Sequence, residues 1–246
     1  SFPFFARLHI IVTGVVLFVA LFRHAGARWI PAMLAVFAVS FLAEHIGTGY
    51  GIPFSGYEYT GLLGPKLAGR VPYVIPLSWF LMSAPAYVMA RSTFPGRRRA
   101  FPRIVLASVL LTTWDLALDP AMSYLTPYWL WENTGPFYGM PWVNLAGWML
   151  TGLVIMVVLE VLERVGGGWS GTLPVRWATA YYAGVLMMPL GMVTAAGLWW
   201  SVAATLGMLG LIRLFHAHFS PGDSADASDR SAVDASPRTA MAGGPS

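Results

Sequence analysis

The stretch "IVLASVLLTTWDLALDPAMSY", Ile104 to Tyr124, reads as an oily helix that carries two aspartates four residues apart. About 20 residues of helix cross the ~30 Å hydrocarbon layer of a bilayer, and this run is long enough. Reading it as a membrane span decides the fold class, because the composition around it argues against water as the solvent. Of 246 residues, 57% are hydrophobic and only 11% charged, whereas a water-soluble domain carries about 25% charged residues. Comparable runs lie near residues 4–22, 29–46, 73–90, 142–162, 177–192 and 195–215. The expected fold is therefore all-α, a polytopic bundle of about seven transmembrane helices filling residues 1–215. The last two runs are separated only by "PLGMVTAAG", which leaves open two helices or one broken, re-entrant pair. The first run has no basic leader and is read as a span rather than a signal peptide.

Lysine and arginine distribute unevenly over the connections. One set of alternate loops holds Arg23, Arg28, Arg91, Arg97, Arg98, Arg99, Arg103, Arg164, Arg176, Arg213, Arg230 and Arg238, and the other only Arg7, Lys66 and Arg70. The positive-inside rule then places the amino terminus outside and the carboxyl terminus in the cytoplasm of a multi-pass cell-membrane protein. The basic residues form no stripe interleaved with aromatics, so the positive balance is topogenic and no nucleic-acid partner is expected. The absence of cysteine removes disulfides, thiolate metal sites and cysteine nucleophiles. From His216 the chain turns small, polar and Pro/Gly-rich, as a disordered cytoplasmic tail over 216–246. "TGYGIPF", ending at Phe54, and "TGPFYGMPW", ending at Trp142, share Tyr-Gly-x-Pro-aromatic, which suits an old parallel duplication or a chance echo.

Acids define a layer within the bundle. Counted from Ile104, Asp115 lies ~17 Å and Asp119 ~22 Å along the fourth helix, on one face of it. The same count from Trp29 on the second helix brings Glu44 to the depth of Asp119, with His45 beside it. An intramembrane carboxylate costs ~2.5–3.5 kcal/mol even on lenient scales, so three at one level need partners or a polar cavity. No lysine or arginine lies at that depth, and desolvation with mutual repulsion leaves at least one of the three holding a proton near neutrality. Pro120 withdraws the donor for the Leu116 carbonyl, predicting a kinked and hydrated backbone beside the acids. Blander roles stand beside this one. Asp119 could be a helix-end residue and Asp115 could bond a Trp indole or Thr hydroxyl as packing glue. His45 could cap a helix, while His9, His24, His216 and His218 suit interfaces or solvent. Glu160 and Glu163 beside Arg164 read as a local ion pair. The two long outer loops are rich in Tyr, Trp, Phe, Gly and Pro and carry Glu58 and Glu132. They read either as aromatic belts or as a lid over the carboxylate layer.

The segments "EHIGTGYGIPFSGYEYTGLLGPKLAGRVPYVIPLSWFLM" and "WDLALDPAMSYLTPYWLWENTGPFYGMPWVNLAGW" resemble the two signature regions of the CruF-type carotenoid hydratases. The resemblance covers roughly residues 42–152, through G-x-P-F, Y-x-Y, L-G-P-K-L, D-x-x-x-D-P, W-x-W, Y-G-x-P and N-x-x-G-W in that order. The chain has Ser55-Gly56 and Glu58-Tyr59 where members of that family often have Gly-Pro and His-Tyr. The resemblance implies a membrane enzyme of carotenoid biosynthesis that adds water across the terminal C1=C2 bond of an acyclic carotenoid end and yields a tertiary alcohol. It implies a carotenoid substrate, a lipid surrounding and other carotenoid-biosynthesis enzymes as neighbours.

Such a hydration needs an acid to protonate C2, a site that tolerates a cation at C1 and one delivered water, without a redox cofactor or metal. Asp119 or Asp115 is the candidate acid, with the other carboxylate, or Glu44 with His45, orienting the water. Tyr50, Tyr57, Tyr59, Trp114, Trp129 and Trp131 are candidates to face the cation, with Glu58, Glu132 and Asn144 as further substrate contacts. A carotenoid cyclase would use the same protonation, and a proton-coupled transporter could use the same acids as a relay. A retinal photoreceptor would need a buried lysine, and the one lysine, Lys66, falls in an outer loop.

Overall fold

The computed structural model describes residues 2–166 and 168–219. Seven α-helices carry it: α1 (Phe2–Ala25), α2 (Ile30–Tyr50), α3 (Val74–Thr93), α4 (Ala100–Asp119), α5 (Trp142–Val165), α6 (Val175–Ala195) and α7 (Trp199–Phe219). Six of them are long and apolar enough to cross a membrane. The exception, α3, has the length but mixes Pro76, Ser78, Ser83, Pro85 and Tyr87 into its apolar run. Its position explains the tolerance. Fourteen of its 20 residues are buried, since α3 packs against α2, α4 and α6 and turns little of itself toward lipid.

Residues 196–198 form a tight turn with Gly197 in the left-handed region (φ 72°). The last two runs are therefore separate helices. α7 continues through His216 to Phe219, so the tail expected from 216 begins inside a helix. Residues 220–246, with Arg230 and Arg238, lie outside the described residues.

α4 is the hub and touches α3, α5, α6 and α7. Gly152 of α5 lies at the α4–α5 crossing, where a Cβ would make ordinary contact at 3.5 Å with Ser108 and Leu111 of α4. At its end, Pro120–Tyr124 forms a π-helical turn. The Leu116 carbonyl, deprived of a helical donor by Pro120, accepts from Ser201 Oγ of α7 at 2.6 Å. The predicted hydrated opening is thus filled by a hydroxyl from a neighbouring helix.

The two long loops are not plain coil. Residues 51–73 and 125–141 pair with each other through β1 (Tyr57–Tyr59) and β4 (Trp129–Trp131), antiparallel, with Tyr57 opposite Trp131 and Tyr59 opposite Trp129. A second ribbon joins β2 (Lys66–Leu67) to β3 (Val71–Pro72). Together they cover one end of the bundle as a lid. Its cations serve main-chain carbonyls: Arg7 and Lys66 donate to Leu62 and Tyr59, and Arg70 to Thr48. The Tyr-Gly echo has two settings, closing α2 at Gly51 and forming a turn at Tyr138-Gly139 ahead of α5.

Ion pairs fasten the opposite, basic end. Arg103 of α4 binds Glu160 of α5 at 2.7 Å, and Glu160 also takes Arg164 at 2.9 Å and the Tyr87 hydroxyl of α3 at 2.7 Å. Arg91 binds Glu163, whose other oxygen accepts from the Ser170 amide at 3.1 Å. The local pair expected at Glu160, Glu163 and Arg164 is thus a network across three helices, because α3 and α4 deliver Arg91 and Arg103 to the same corner. Breaking a buried pair costs about 3–5 kcal/mol. Arg103→Ala is expected to lower the midpoint of thermal unfolding in detergent accordingly, while Arg98→Ala, on an exposed residue, leaves it in place.

Candidate active site

Glu44 stands in the last turns of α2, which Gly51 ends in a left-handed cap with its N–H on the Gly47 carbonyl at 2.8 Å. The chain then reverses over the helix end, and Phe54 wedges between two glycines. A Cβ on Gly47 would lie 2.9 Å from one edge of the Phe54 ring and one on Gly147 of α5 would lie 2.7 Å from the other. That wedge sets the height at which β1 crosses the bundle. Side chains alternate along a strand, so Tyr57 and Tyr59 point down into the bundle while Glu58 points out. Trp131 and Trp129 on β4 meet them, with ring centroids 5.2 Å and 5.9 Å apart. Four aromatic rings thus form a roof.

Beneath it are the acids. Glu44, Asp115 and Asp119 are at most 4% exposed. Glu44 Oε2 accepts from the hydroxyls of Tyr57 and Tyr59 (2.7 Å for Tyr59), and its Oε1 from Trp79 Nε1 at 2.9 Å. Burial, together with the charge of Glu44, holds both lid phenols well above their ordinary pKa, so they stay neutral donors. Asp119 Oδ1 accepts from Ser123 Oγ at 2.8 Å and Trp129 Nε1 at 3.2 Å, and Oδ2 from Asn144 Nδ2 at 2.7 Å. The same amide nitrogen reaches Asp115 Oδ2 at 3.1 Å, whereas Asp115 Oδ1 is buried without a partner. The ion pairs found among the described residues all lie at the other end of the bundle, so only neutral donors serve these three acids.

Glu44 and Asp119 line one small chamber with Tyr57, Tyr59, Trp129 and Asn144. Asp115 sits behind Asp119, off the chamber wall. An apolar cavity adjoins it, sharing Ile75, Ser78, Leu118 and Trp129 as common walls. Trp114 lines that second cavity and packs edge-on to Trp148.

The structure therefore gathers Glu44, Asp115, Asp119, Asn144, Tyr57, Tyr59, Trp129 and Trp131, with Trp114 next door. It does not gather four others. His45 follows Glu44 on the helix, so it turns away and lies against Phe41 at 5.6 Å. Tyr50 is 80% exposed at the end of α2. Glu58 points outward by strand alternation, and Glu132 lies just past β4 against Gly56 on the exposed side. Three residues of the site escaped the sequence reading: Ser123, which holds Asp119, and the tryptophans Trp79 and Trp148. Trp79 and Trp148 stack at 4.1 Å and form the floor, Trp79 also holding Glu44. Trp148 lies one turn beyond Asn144 on α5, which is a legible signal, whereas nothing in the sequence marks Trp79 as facing α2. Among the described residues, no three histidine, aspartate or glutamate side chains are grouped as metal ligands.

Comparison with known proteins adds two findings. A family model described as "Carotenoid biosynthesis protein" matches residues 5–212. The bisanhydrobacterioruberin hydratase of Haloarcula japonica is 32% identical over 167 residues, which cover 67% of this chain and 56% of that protein. The matched part thus spans little more than half of the relative's length. No solved structure matches.

The glycine wedge gives a test of the lid that needs no substrate. Overpacking at such a contact costs about 1–3 kcal/mol. Gly147→Ala is expected to lift Phe54 and accelerate proteolytic cleavage within 51–73, while Gly184→Ala, where a Cβ meets open space, leaves the cleavage rate unchanged.

Proposed function

The chain belongs to the carotenoid biosynthesis protein family, and from that premise we propose that it is a hydratase adding water to the terminal C1=C2 bond of an acyclic carotenoid end. One observation carries the reading: buried acids served by neutral donors line an aromatic chamber that shares its walls with an apolar cavity. A proton donor, a cation-tolerant wall and a place for hydrocarbon stand side by side.

Asp119 is the acid of the pair that touches substrate. It gives its proton to C2, leaving a tertiary cation at C1. Asn144 ties it to Asp115, and the partnerless Oδ1 of Asp115 suits a carboxyl that stays protonated behind it. Trp129, Trp131, Tyr57 and Tyr59 line the chamber, and a desolvated ring with its face to a cation contributes up to about 2 kcal/mol to binding it. Glu44, fixed by three donors, is the carboxylate that orients water and takes its proton as the C–O bond forms. Moving that proton from Glu44 back to Asp119 restores the starting state, so no cofactor is consumed. The lid keeps bulk water out, leaving one water to compete with loss of a proton from the cation.

In the bilayer this reading places the lid end outside and the ion-paired end in the cytoplasm, following the arginine distribution. The twelve arginines of "RSTFPGRRRAFPR" and the other inner loops, against three basic residues in the outer ones, anchor that orientation.

General acid and base groups contribute about 100- to 10,000-fold each. Asp119→Asn and Glu44→Gln are each expected to lower, within that range, the formation of a product one water heavier in cells that accumulate lycopene, and Asp115→Asn, behind Asp119, to lower it less. Wild-type rates in both aspartate variants would sink the assignment. A product of unchanged mass with a ring at its end would replace hydration by cyclisation.

A further inference from the structure

The polar chamber holds only the end of a long substrate, so the rest of the polyene must leave the bundle somewhere. The apolar cavity beside it is walled by His9, Ile10 and Thr13 of α1 and by Val185, Met188 and Pro189 of α6. These two helices form its outer wall, yet α1 packs chiefly on α3 rather than on α6. At the lower edge of the cavity the seam is tied by Tyr181 Oη donating to the carbonyl of Thr13, itself a wall residue, at 3.1 Å.

At the level of the cavity the seam is different. Pro189 has no N–H, so the Val185 carbonyl one turn earlier lacks its helical donor, and the His9 ring of α1, whose Nε2 is buried without a hydrogen-bond partner, approaches that carbonyl. A proline inside a helix also marks the place where it bends most readily. The wall is thus closed there by one polar approach and by Ile10 and Met188, both only partly buried, instead of by interlocking core residues.

We propose that the seam between α1 and α6 is a lateral portal, through which the polyene of an acyclic carotenoid lies from the carboxyl chamber out into the lipid, with Pro189 as its hinge and His9 as its latch. This rests on the reading of the chamber as a hydration site. It adds a binding site, the apolar cavity, and a direction, sideways into the membrane rather than through the lid. Met188 and Ile10 are the gate residues, and their side chains carry no role in the proton transfers.

The sequence has no cysteine, so introduced thiols can be joined without side reactions. The test is Ile10→Cys/Met188→Cys in phosphatidylcholine proteoliposomes loaded with lycopene, bridged by a bifunctional methanethiosulfonate and released by reductant. Hydration by the unbridged protein, a loss on bridging of at least about tenfold, as expected for a blocked gate, and recovery on reduction support the portal. Full activity in completely bridged protein overturns the portal and leaves the hydratase reading intact. Unmodified protein that never hydrates lycopene removes the hydratase reading, and the portal falls with it. If the double variant does not fold, Met188→Trp fills the same opening: a lower kcat/KM with kcat retained supports the portal, and unchanged kcat/KM overturns it.

Discussion

Three carboxyl groups sit in an apolar layer and are served by neutral donors, with one oxygen of Asp115 left without a partner. Tyr57, Tyr59 and Trp79 serve Glu44, while Ser123, Trp129 and Asn144 serve Asp119, with Asn144 reaching Asp115 as well. Ionic groups in such surroundings are expensive unless paired. Cationic partners would satisfy the acids at the loss of any readiness to give up a proton to carbon. Neutral donors keep the acids in place and leave their chemistry open. Much of the lid end follows from that constraint. The β1–β4 ribbon brings two phenols and an indole down from above, the stacked pair of Trp79 and Trp148 closes the floor, and the π-helical turn after Asp119 returns Ser123 to its carboxylate.

The two ends of the bundle solve the same problem in opposite ways. At the basic end, Arg91, Arg103 and Arg164 meet Glu160 and Glu163 directly and lock α3, α4 and α5 together. At the lid end, Arg7, Lys66 and Arg70 donate to main-chain carbonyls, which keeps positive charge off the acids while pinning the loops that cover them. Charge is used for rigidity where no chemistry is proposed. Where chemistry is proposed it is kept at a distance.

The seven helices were legible because each is a long apolar run between loops of distinct charge, and the shared depth of Glu44 and Asp119 followed from counting along two helices that run the same way. Rotation about the helix axis was harder to read. A step of one residue turns His45 away from the chamber that Glu44 lines, and the strand period of two separates Tyr57 and Tyr59 from Glu58. The pairing of Tyr57 with Trp131 joins loops more than seventy positions apart, and no local pattern specifies it. Trp79 was hidden for a related reason: α3 is buried on most of its circumference, so its sequence has no polar face from which orientation could be deduced. The Leu116 carbonyl was correctly seen to lose its donor, but its replacement, Ser201, comes from α7, whose contact with α4 the sequence does not encode locally.

Hydration at this site depends on transfer of an acid proton to a carbon of the substrate, and running the reaction in deuterium oxide tests this most directly. The Asp119 carboxyl exchanges with solvent, so the hydrated carotenoid is expected to carry one non-exchanging deuterium on C2, next to the new alcohol. A product with the alcohol at C1 and hydrogen alone at C2 would contradict the proposed proton transfer, whatever the identity of the acid.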